Sequence, residues 1–285
     1  RSDAVSTTLQ RLSQATRALP PAQALERLVQ RPIEALLTLL RGKGGNDGSV
    51  HAIASLLGVP VVGSSQRAFQ QASDKHLFGQ VVSDVAATPY SRRFTRKIPL
   101  DSVVDEIRED FLPPLFLKPA SAEGSFGTEY IESLDDLRSS VSKILAFDDL
   151  LVQERIAGPE LSVSITQDAR GNVVALPPTV VKQEKAPFYT RLAKRRPGLV
   201  SLHSASNRDD AVIEEAEEIA RDIYDDFDYT GLVTLDMIAG DEGIHVLEAN
   251  MVPTLTAHTP LRHQLKSGGM HPTNLLDALI RNTLG

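Results

Sequence analysis

A chain of 285 residues is long enough for a sizeable core or for two or three small layered domains, and its 41% hydrophobic and 24% charged content exclude a disordered, collagenous or coiled-coil protein. Its 30 Lys and Arg against 37 Asp and Glu give a formal charge of −7, which offers no general attraction for nucleic acid or anionic lipid. The absence of cysteine excludes disulfides, Cys-ligated zinc and a thiol nucleophile. No apolar run approaches the ~18 residues of a membrane span, and no charged-then-apolar leader opens the chain, so the cytoplasm is the default location. The start at Arg1, without Met, allows for residues in front.

In chain order, Leu9, Leu12, Ala15, Leu19, Leu25 and Leu28 recur at helical spacing, with Pro20-Pro21 splitting the stretch into two helices. Residues 33–40 (IEALLTLL), 41–48 (RGKGGNDG), 50–57 (VHAIASLL) and 59–65 (VPVVGSS) read as strand, loop, helix and strand, a βαβ unit of a parallel sheet. A helix is expected over 68–86. A short strand at Leu115 to Lys118 runs into the Gly- and Ser-rich loop 119–128, and Tyr130-Ile131 resumes as strand. Residues 133–145 predict an amphipathic helix capped by Ser133. Strands at 150–152 and 160–166 flank a Gly158-Pro159 turn, and the basic, aperiodic stretch 182–208, with its two prolines, reads as a long loop suited to act as a lid. An acidic helix over 209–226 precedes a hairpin of strands 231–239 and 244–253, and the chain ends in a helix with Thr273 as cap. No internal repeat is present.

Three groups of residues carry chemistry. In the hairpin, Glu248 and Asn250 are two apart on one strand and share a face, with Asp236 on the facing strand. Two carboxylates and an amide oxygen form a hard donor set suited to Mg²⁺ bridging nucleotide phosphates. The alternative is a solvated acidic sheet face, against which stand the apolar neighbours Leu235, Met237, Ile238, Val246, Leu247 and Ala249. The second group is Lys118 with the loop Glu123 to Gly127, where backbone N–H groups and a point charge could meet phosphate; GxxxxGK[ST] is absent, so this is no P-loop, and a Gly/Ser turn beside a chance lysine is the alternative. The third is Gln153, Glu154 and Glu160 around the Gly158 turn, which could read an adenine rim and a ribose hydroxyl or be ordinary surface.

These groups fall in one order. RGKGGNDG followed by GVPVVGS, then SDK (73–75), FLKPASAEGSFG (116–127), VQERIAGPE (152–160), FYTRLAK (188–194), GLVTLD (231–236) and LEANMVPTLTAHT (247–259) together resemble the ATP-grasp superfamily, and within it the D-alanine:D-alanine ligases. The resemblance spans about residues 41–259, with a weaker echo at Val5-Ser6. It implies an α/β fold, α+β in parts: a shortened N-terminal βα domain over 1–68, a central subdomain over 69–156 and a C-terminal subdomain over 157–285, with ATP between the last two. It implies ATP and two Mg²⁺ ions, with Mn²⁺ as an alternative, and an acyl phosphate that an amine attacks. By position, Lys75 and Lys118 match the phosphate-binding lysines, Gln153, Glu154, Arg155 and Ile156 the adenine-binding strand, and Glu160 the ribose-binding glutamate. Phe188 would pack near the adenine, Lys194 would reach phosphate or a substrate carboxylate, and Asp236, Glu248 and Asn250 match the metal site. Lys118, Ser125, Lys194 and Arg195 are the implied catalytic group. The implied partners are a small-molecule carboxylate and amine, with no nucleic acid or membrane and with a homodimer as an option.

The departures cluster on the substrate side. Thr234 stands where these ligases carry an arginine for the acyl phosphate, Thr254 where they carry glycine and Thr259 where they carry serine. Arg41 and Asn46 replace the histidine and glutamate of the first loop, Arg195 replaces a tyrosine, the phosphate loop is one residue short, and the glutamate that orients the first amino acid aligns with Ser2. Three readings follow: a carboxylate–amine ligase with a non-standard substrate pair and Arg41, Arg191 or Arg195 as replacement cation; an authentic D-alanine:D-alanine ligase; or a nucleotide-binding, non-catalytic or partner-dependent subunit.

Overall fold

The computed structural model describes residues 19–30, 33–122, 124–183, 190, 198–205, 210–252 and 254–285. The expected first helix, Ser2, Phe188, Arg191, Lys194, Arg195 and most of the 182–208 loop lie outside the described residues.

The N-terminal part contributes helices α1 (Pro21–Gln30), α2 (Ser49–Leu56), α3 (Gln66–Ser73) and α4 (Lys75–Val82). The expected βαβ unit is reduced to α2 and a single parallel bridge between Leu36 and Val61. Leu36 N–H donates to Pro60 O at 2.8 Å and Val62 N–H to Leu36 O at 2.9 Å; Pro60, lacking an N–H, cannot extend the ladder. The expected helix 68–86 is two helices, because Asp74 takes an extended conformation and its carboxylate caps α4 by accepting from His76 and Leu77 N–H.

The next unit is a four-stranded antiparallel sheet in the order β1-β4-β2-β3: β1 (Ser91–Phe94), β2 (Leu115–Pro119), β3 (Glu129–Ile131) and β4 (Leu150–Glu154). Helices α5 (Leu100–Asp110) and α6 (Leu137–Leu145) cover one face, burying Ile107, Leu115, Leu117, Leu137, Ile144 and Val152 in one cluster. Alternation along β2 then turns Phe116 and Lys118 to the opposite face, where they pair across the ladder with Gln153 and Leu151. The helix after β3 starts at Leu137 and not at Ser133, since Ser133 Oγ is engaged with Asp135 in a local turn.

The second sheet runs β10-β9-β5-β7-β8, with β6 also paired to β5: β5 (Glu160–Gln167), β6 (Val173–Ala175), β7 (Thr179–Gln183), β8 (Val200–Ser204), β9 (Val233–Gly240) and β10 (Gly243–Asn250). Leu161, Val163 and Ile165 point from β5 into a core shared with Ala216, Ala220 and Ile223 of α7 (Asp210–Asp226) and with Phe78 and Val82 of α4. Ser162, Ser164 and Thr166 point the other way yet are also buried, because α8 (Pro260–Ser267) and α9 (Pro272–Leu284) cover that face. Gln264 Nε2 donates to Ser162 O at 2.6 Å across this contact. β8 lies within the stretch read as loop, held by antiparallel pairing to β7. His271, not Thr273, is the N-cap of α9, its ring nitrogen accepting from Thr273 N–H. No helix among the described residues is long and apolar enough to cross a membrane.

Candidate active site

The two sheets face each other across a cleft whose walls come from β2 and β4 on one side and from β5, β9 and β10 on the other. Two cavities occupy it. The smaller, about 100 Å³, is lined by Lys75, Lys118, Gln153, Ile156, Glu160 and Leu247 among others; the larger, about 500 Å³, by Arg41, Thr234, Thr254, Thr256 and Thr259 among others. Asp236 and Glu248 line both.

A β-bulge sets this arrangement. Residues 243–246 of β10 pair with β9 in one register and residues 248–250 in another, with Leu247 as the extra residue. Unbroken pairing would oppose Glu248 to Leu235, whose side chain is in the core. The shift opposes Glu248 to Asp236 and turns Leu247 and Glu248 both towards the cleft, while Val246 and Ala249 stay buried. Asn250 Nδ2 donates to Asp236 Oδ2 at 3.3 Å and to Glu248 Oε1 at 3.5 Å, and Ser162 Oγ donates to Asp236 Oδ1 at 3.1 Å. The three polar side chains read from the hairpin therefore converge.

Both expected phosphate-binding lysines reach the cleft. Lys75 is the first residue of α4, and its ammonium donates to Ala122 O in the glycine-rich loop. Lys118 donates to Gln153 Oε1 and lies 5.3 Å from the Phe116 ring centroid. Ser125, with φ of 58°, is a non-glycine residue in left-handed conformation beside Gly124 and Gly127, and it lines the smaller cavity. Glu160 Oε2 accepts from Gln183 Nε2 at 2.8 Å. Glu154 also lines the smaller cavity, yet its carboxylate accepts from Tyr90 N–H at 2.6 Å, tying β4 to the chain before β1. Arg155 is exposed and is not among the residues lining either cavity. Phe116, Ile238 and Leu247 complete the apolar lining of the smaller cavity; the residue-level reading gave none of them a ligand-facing role. The broken alternation at Val246-Leu247-Glu248 is the signal that could have found Leu247.

Arg41 guards the larger cavity, its Nη2 donating to Val252 O at 2.7 Å, and it is the one cationic side chain among the described residues that line that space. The loop behind Arg41 is held by Asp47, whose carboxylate accepts from Gly44 N–H at 2.7 Å and Ser49 N–H at 3.0 Å. Burial opposes ionisation of Asp47, but these hydrogen bonds outweigh it and hold its pKa below the usual carboxylate value. Thr234 Oγ1 lies 2.7 Å from Ser164 Oγ, so this wall carries a neutral hydroxyl pair.

Among the described residues no group of three or more His, Cys, Asp or Glu could hold a metal. The donor set is thus two carboxylates and an amide, which fits Mg²⁺ only if phosphate oxygens and water supply the remaining ligands.

Residues 83–281 match the family model for the D-ala D-ala ligase C-terminus. The chain belongs to the D-alanine–D-alanine ligase family. Within it, the D-alanine–D-alanine ligase of Geobacillus thermodenitrificans is 25% identical over 257 residues, covering 88% of this chain and 70% of the relative. That of Bifidobacterium longum is 28% identical over 270 residues, covering 88% and 68%. The crystal structure of the VanG D-Ala:D-Ser ligase from Enterococcus faecalis superposes with a TM-score of 0.75 at 26% identity, covering 87% of this chain and 72% of that one. The Bacillus anthracis D-alanine–D-alanine ligase complexed with ATP gives 0.73 at 23% identity, covering 91% and 83%, and shows the shared fold. The protein is accordingly an ATP-grasp ligase that forms a C–N bond.

Proposed function

We propose that the chain binds Mg·ATP between its two sheets, activates a small-molecule carboxylate and joins it to a small-molecule amine other than the D-alanine pair. The observation that carries this reading is the meeting of the two cavities at Asp236 and Glu248. A nucleotide in the smaller cavity would bring its terminal phosphate to the border of the larger one, where the carboxylate would lie. We take 69–156 and 157–285 as the two clasping subdomains, since β1 to β4 fall in the first and β5 to β10 in the second. The cytoplasm, where ATP is abundant, is the compartment we assign.

Phe116, Ile156, Ile238 and Leu247 offer apolar surface for the adenine. Glu160 is placed for a ribose hydroxyl. Lys75 and Lys118 now donate to Ala122 O and Gln153 Oε1, acceptor oxygens that the triphosphate would replace. Bound by Asp236, Glu248 and Asn250, Mg²⁺ (or Mn²⁺) would neutralise charge on the phosphate oxygens. The substrate carboxylate oxygen attacks the γ-phosphorus and ADP leaves; the amine nitrogen then attacks the acyl carbon, the C–N bond forms, and phosphate departs with the acyl oxygen and takes up the proton that the nitrogen loses. The protein's share is alignment and charge neutralisation. Arg41 is placed to hold the acid, and the neutral Thr234–Ser164 pair is what favours a non-standard substrate over D-alanine.

Two measurements test this. Asp236→Ala and Glu248→Ala should each weaken Mg·ATP binding about tenfold or more; unchanged affinity in both would sink the nucleotide reading. ADP release over a panel of amino acids and amines should appear with acids other than D-alanine. Release with D-alanine alone would make the chain an ordinary D-alanine–D-alanine ligase, and binding without turnover on any pair would make it a partner-dependent nucleotide-binding subunit.

A further inference from the structure

Helix α8 borders a third cavity, about 480 Å³, that shares no residue with the other two. Leu261 and Leu265 of α8 are buried in the core, while Arg262, His263 and Lys266 stand on another face and line this cavity. His258, from the segment before α8, and His271, at the start of α9, complete a basic wall. Among the described residues the lining contains no Asp or Glu. In a chain with 37 acidic residues against 30 Lys and Arg, a concave surface with five basic side chains and no acid departs from the chain's own average.

Neither Arg262 nor Lys266 forms a salt bridge among the described residues, although surface pairs occur elsewhere, as between Arg281 and Asp277. The histidine rings are oriented by neighbours. His263 Nδ1 lies 3.0 Å from Oγ1 of the fully buried Thr179, which leaves Nε2 for the cavity. Burial, then the charges of His203 and Lys266, depress the pKa of His263, so its ring is held neutral and the positive charge rests on Arg262 and Lys266. His271 Nδ1 accepts from Thr273 N–H at 3.3 Å, which puts the ring proton on Nε2 and makes that atom a donor in either protonation state. Val200, Leu202, Met270 and Pro272 add an apolar part to the lining, which lowers the local dielectric and leaves room for a carbon body.

We infer that this cavity binds a small phosphorylated anion, held by the Arg262 guanidinium and Lys266 ammonium and by imidazole Nε2 donors. Two cations plus neutral donors in one concavity match a phosphoryl group, whose oxygens accept several hydrogen bonds while carrying about two charges. The phosphate could be free or carried on a carbon skeleton, and two probes separate these.

The test is calorimetric titration of the full chain with inorganic pyrophosphate and, separately, with glycerol 3-phosphate. One site per chain is expected for at least one probe, weakened tenfold or more in both the Arg262→Ala/Lys266→Ala and Arg262→Gln/Lys266→Gln double variants. Binding of pyrophosphate only assigns a free phosphate ligand; binding of glycerol 3-phosphate assigns a phosphomonoester. Glu248→Ala should leave this binding intact, which separates it from the nucleotide cleft and keeps its outcome independent of the proposed reaction. No saturable binding of either probe, binding unaffected by both double variants, or binding abolished by Glu248→Ala would each overturn the inference.

Discussion

Arg41 has two acceptors competing for one guanidinium. In the structure Nη2 donates to Val252 O, a bond from the loop after Leu40 to the segment after β10. A substrate carboxylate entering the larger cavity would meet the same group, and a charge-assisted hydrogen bond is worth about 1.5–3 kcal/mol. Arg41→Ala should therefore raise the KM for the acid substrate roughly 10- to 100-fold, with ATP affinity unchanged. If the substitution lowers thermal stability but leaves that KM alone, the side chain is only a clamp between two loops. Thr234 is a contrasting case: it is satisfied by Ser164 at 2.7 Å within the sheet, so its neutrality is built into the wall.

Elements position these residues through a few close approaches. Gly158, at φ 152°, lies in the turn between β4 and β5 that carries Ile156 and Glu160 into the cleft, and a Cβ there would come within 2.1 Å of Ala239 O. Since that atom is backbone, Gly158→Ala should push the turn away from β9, costing on the order of 2 kcal/mol in chemical denaturation and weakening ATP binding as well. Arg93 of β1 holds the capping residue of the Lys75 helix, bridging Asp74 and Asp149 at 2.7 Å each. Burial pushes the Asp149 pKa up, but the Arg93 hydrogen bond and charge outweigh it and the net value is lowered. A lowered folded-state pKa stabilises the protein above the unfolded carboxylate value near pH 4 and ceases to do so as pH falls through the folded value. Arg93→Ala should cost about 1 kcal/mol or less at pH 7, as suits a partly exposed pair, and the gap from the parent should narrow in urea titrations as the pH falls below the unfolded carboxylate value. These close approaches also mark where the sequence was legible. The hairpin, the acidic helix, β2, β4 and the placing of Asp236, Glu248 and Lys118 on strands were readable, because period-2 alternation and glycine turns are local signals, whereas Lys75, at the start of a helix, was singled out only by the family resemblance. β1, β7, β8 and α8 were not: Ser-Arg-Arg-Phe carries little apolar signal, and β8 sits just beyond Pro197 in a basic stretch, so pairing with β7 alone defines it. The Asp74 break was hidden by helical spacing continuing across it.

At the scale of the molecule, β2 supplies Lys118, α4 supplies Lys75, and β9 and β10 supply Asp236 and Glu248, so opposite charges line one cavity and a nucleotide would complete both. The apolar wall of the smaller cavity, beside that charged border, includes Leu247. Because β10 has one residue more than β9 needs at that point, Leu247 behaves as an insertion into an otherwise regular hairpin. Deleting it would restore continuous pairing with Glu248 still opposite Asp236, Asn250 still opposite Thr234 and Ala249 still facing the core. The shortened protein should fold and keep its divalent-ion affinity within a few-fold while losing preference for ATP over other nucleoside triphosphates, a comparison that competition binding can make directly. Chain length at this one position would then work as a selectivity setting, adjustable by a single codon without disturbing the charges beside it.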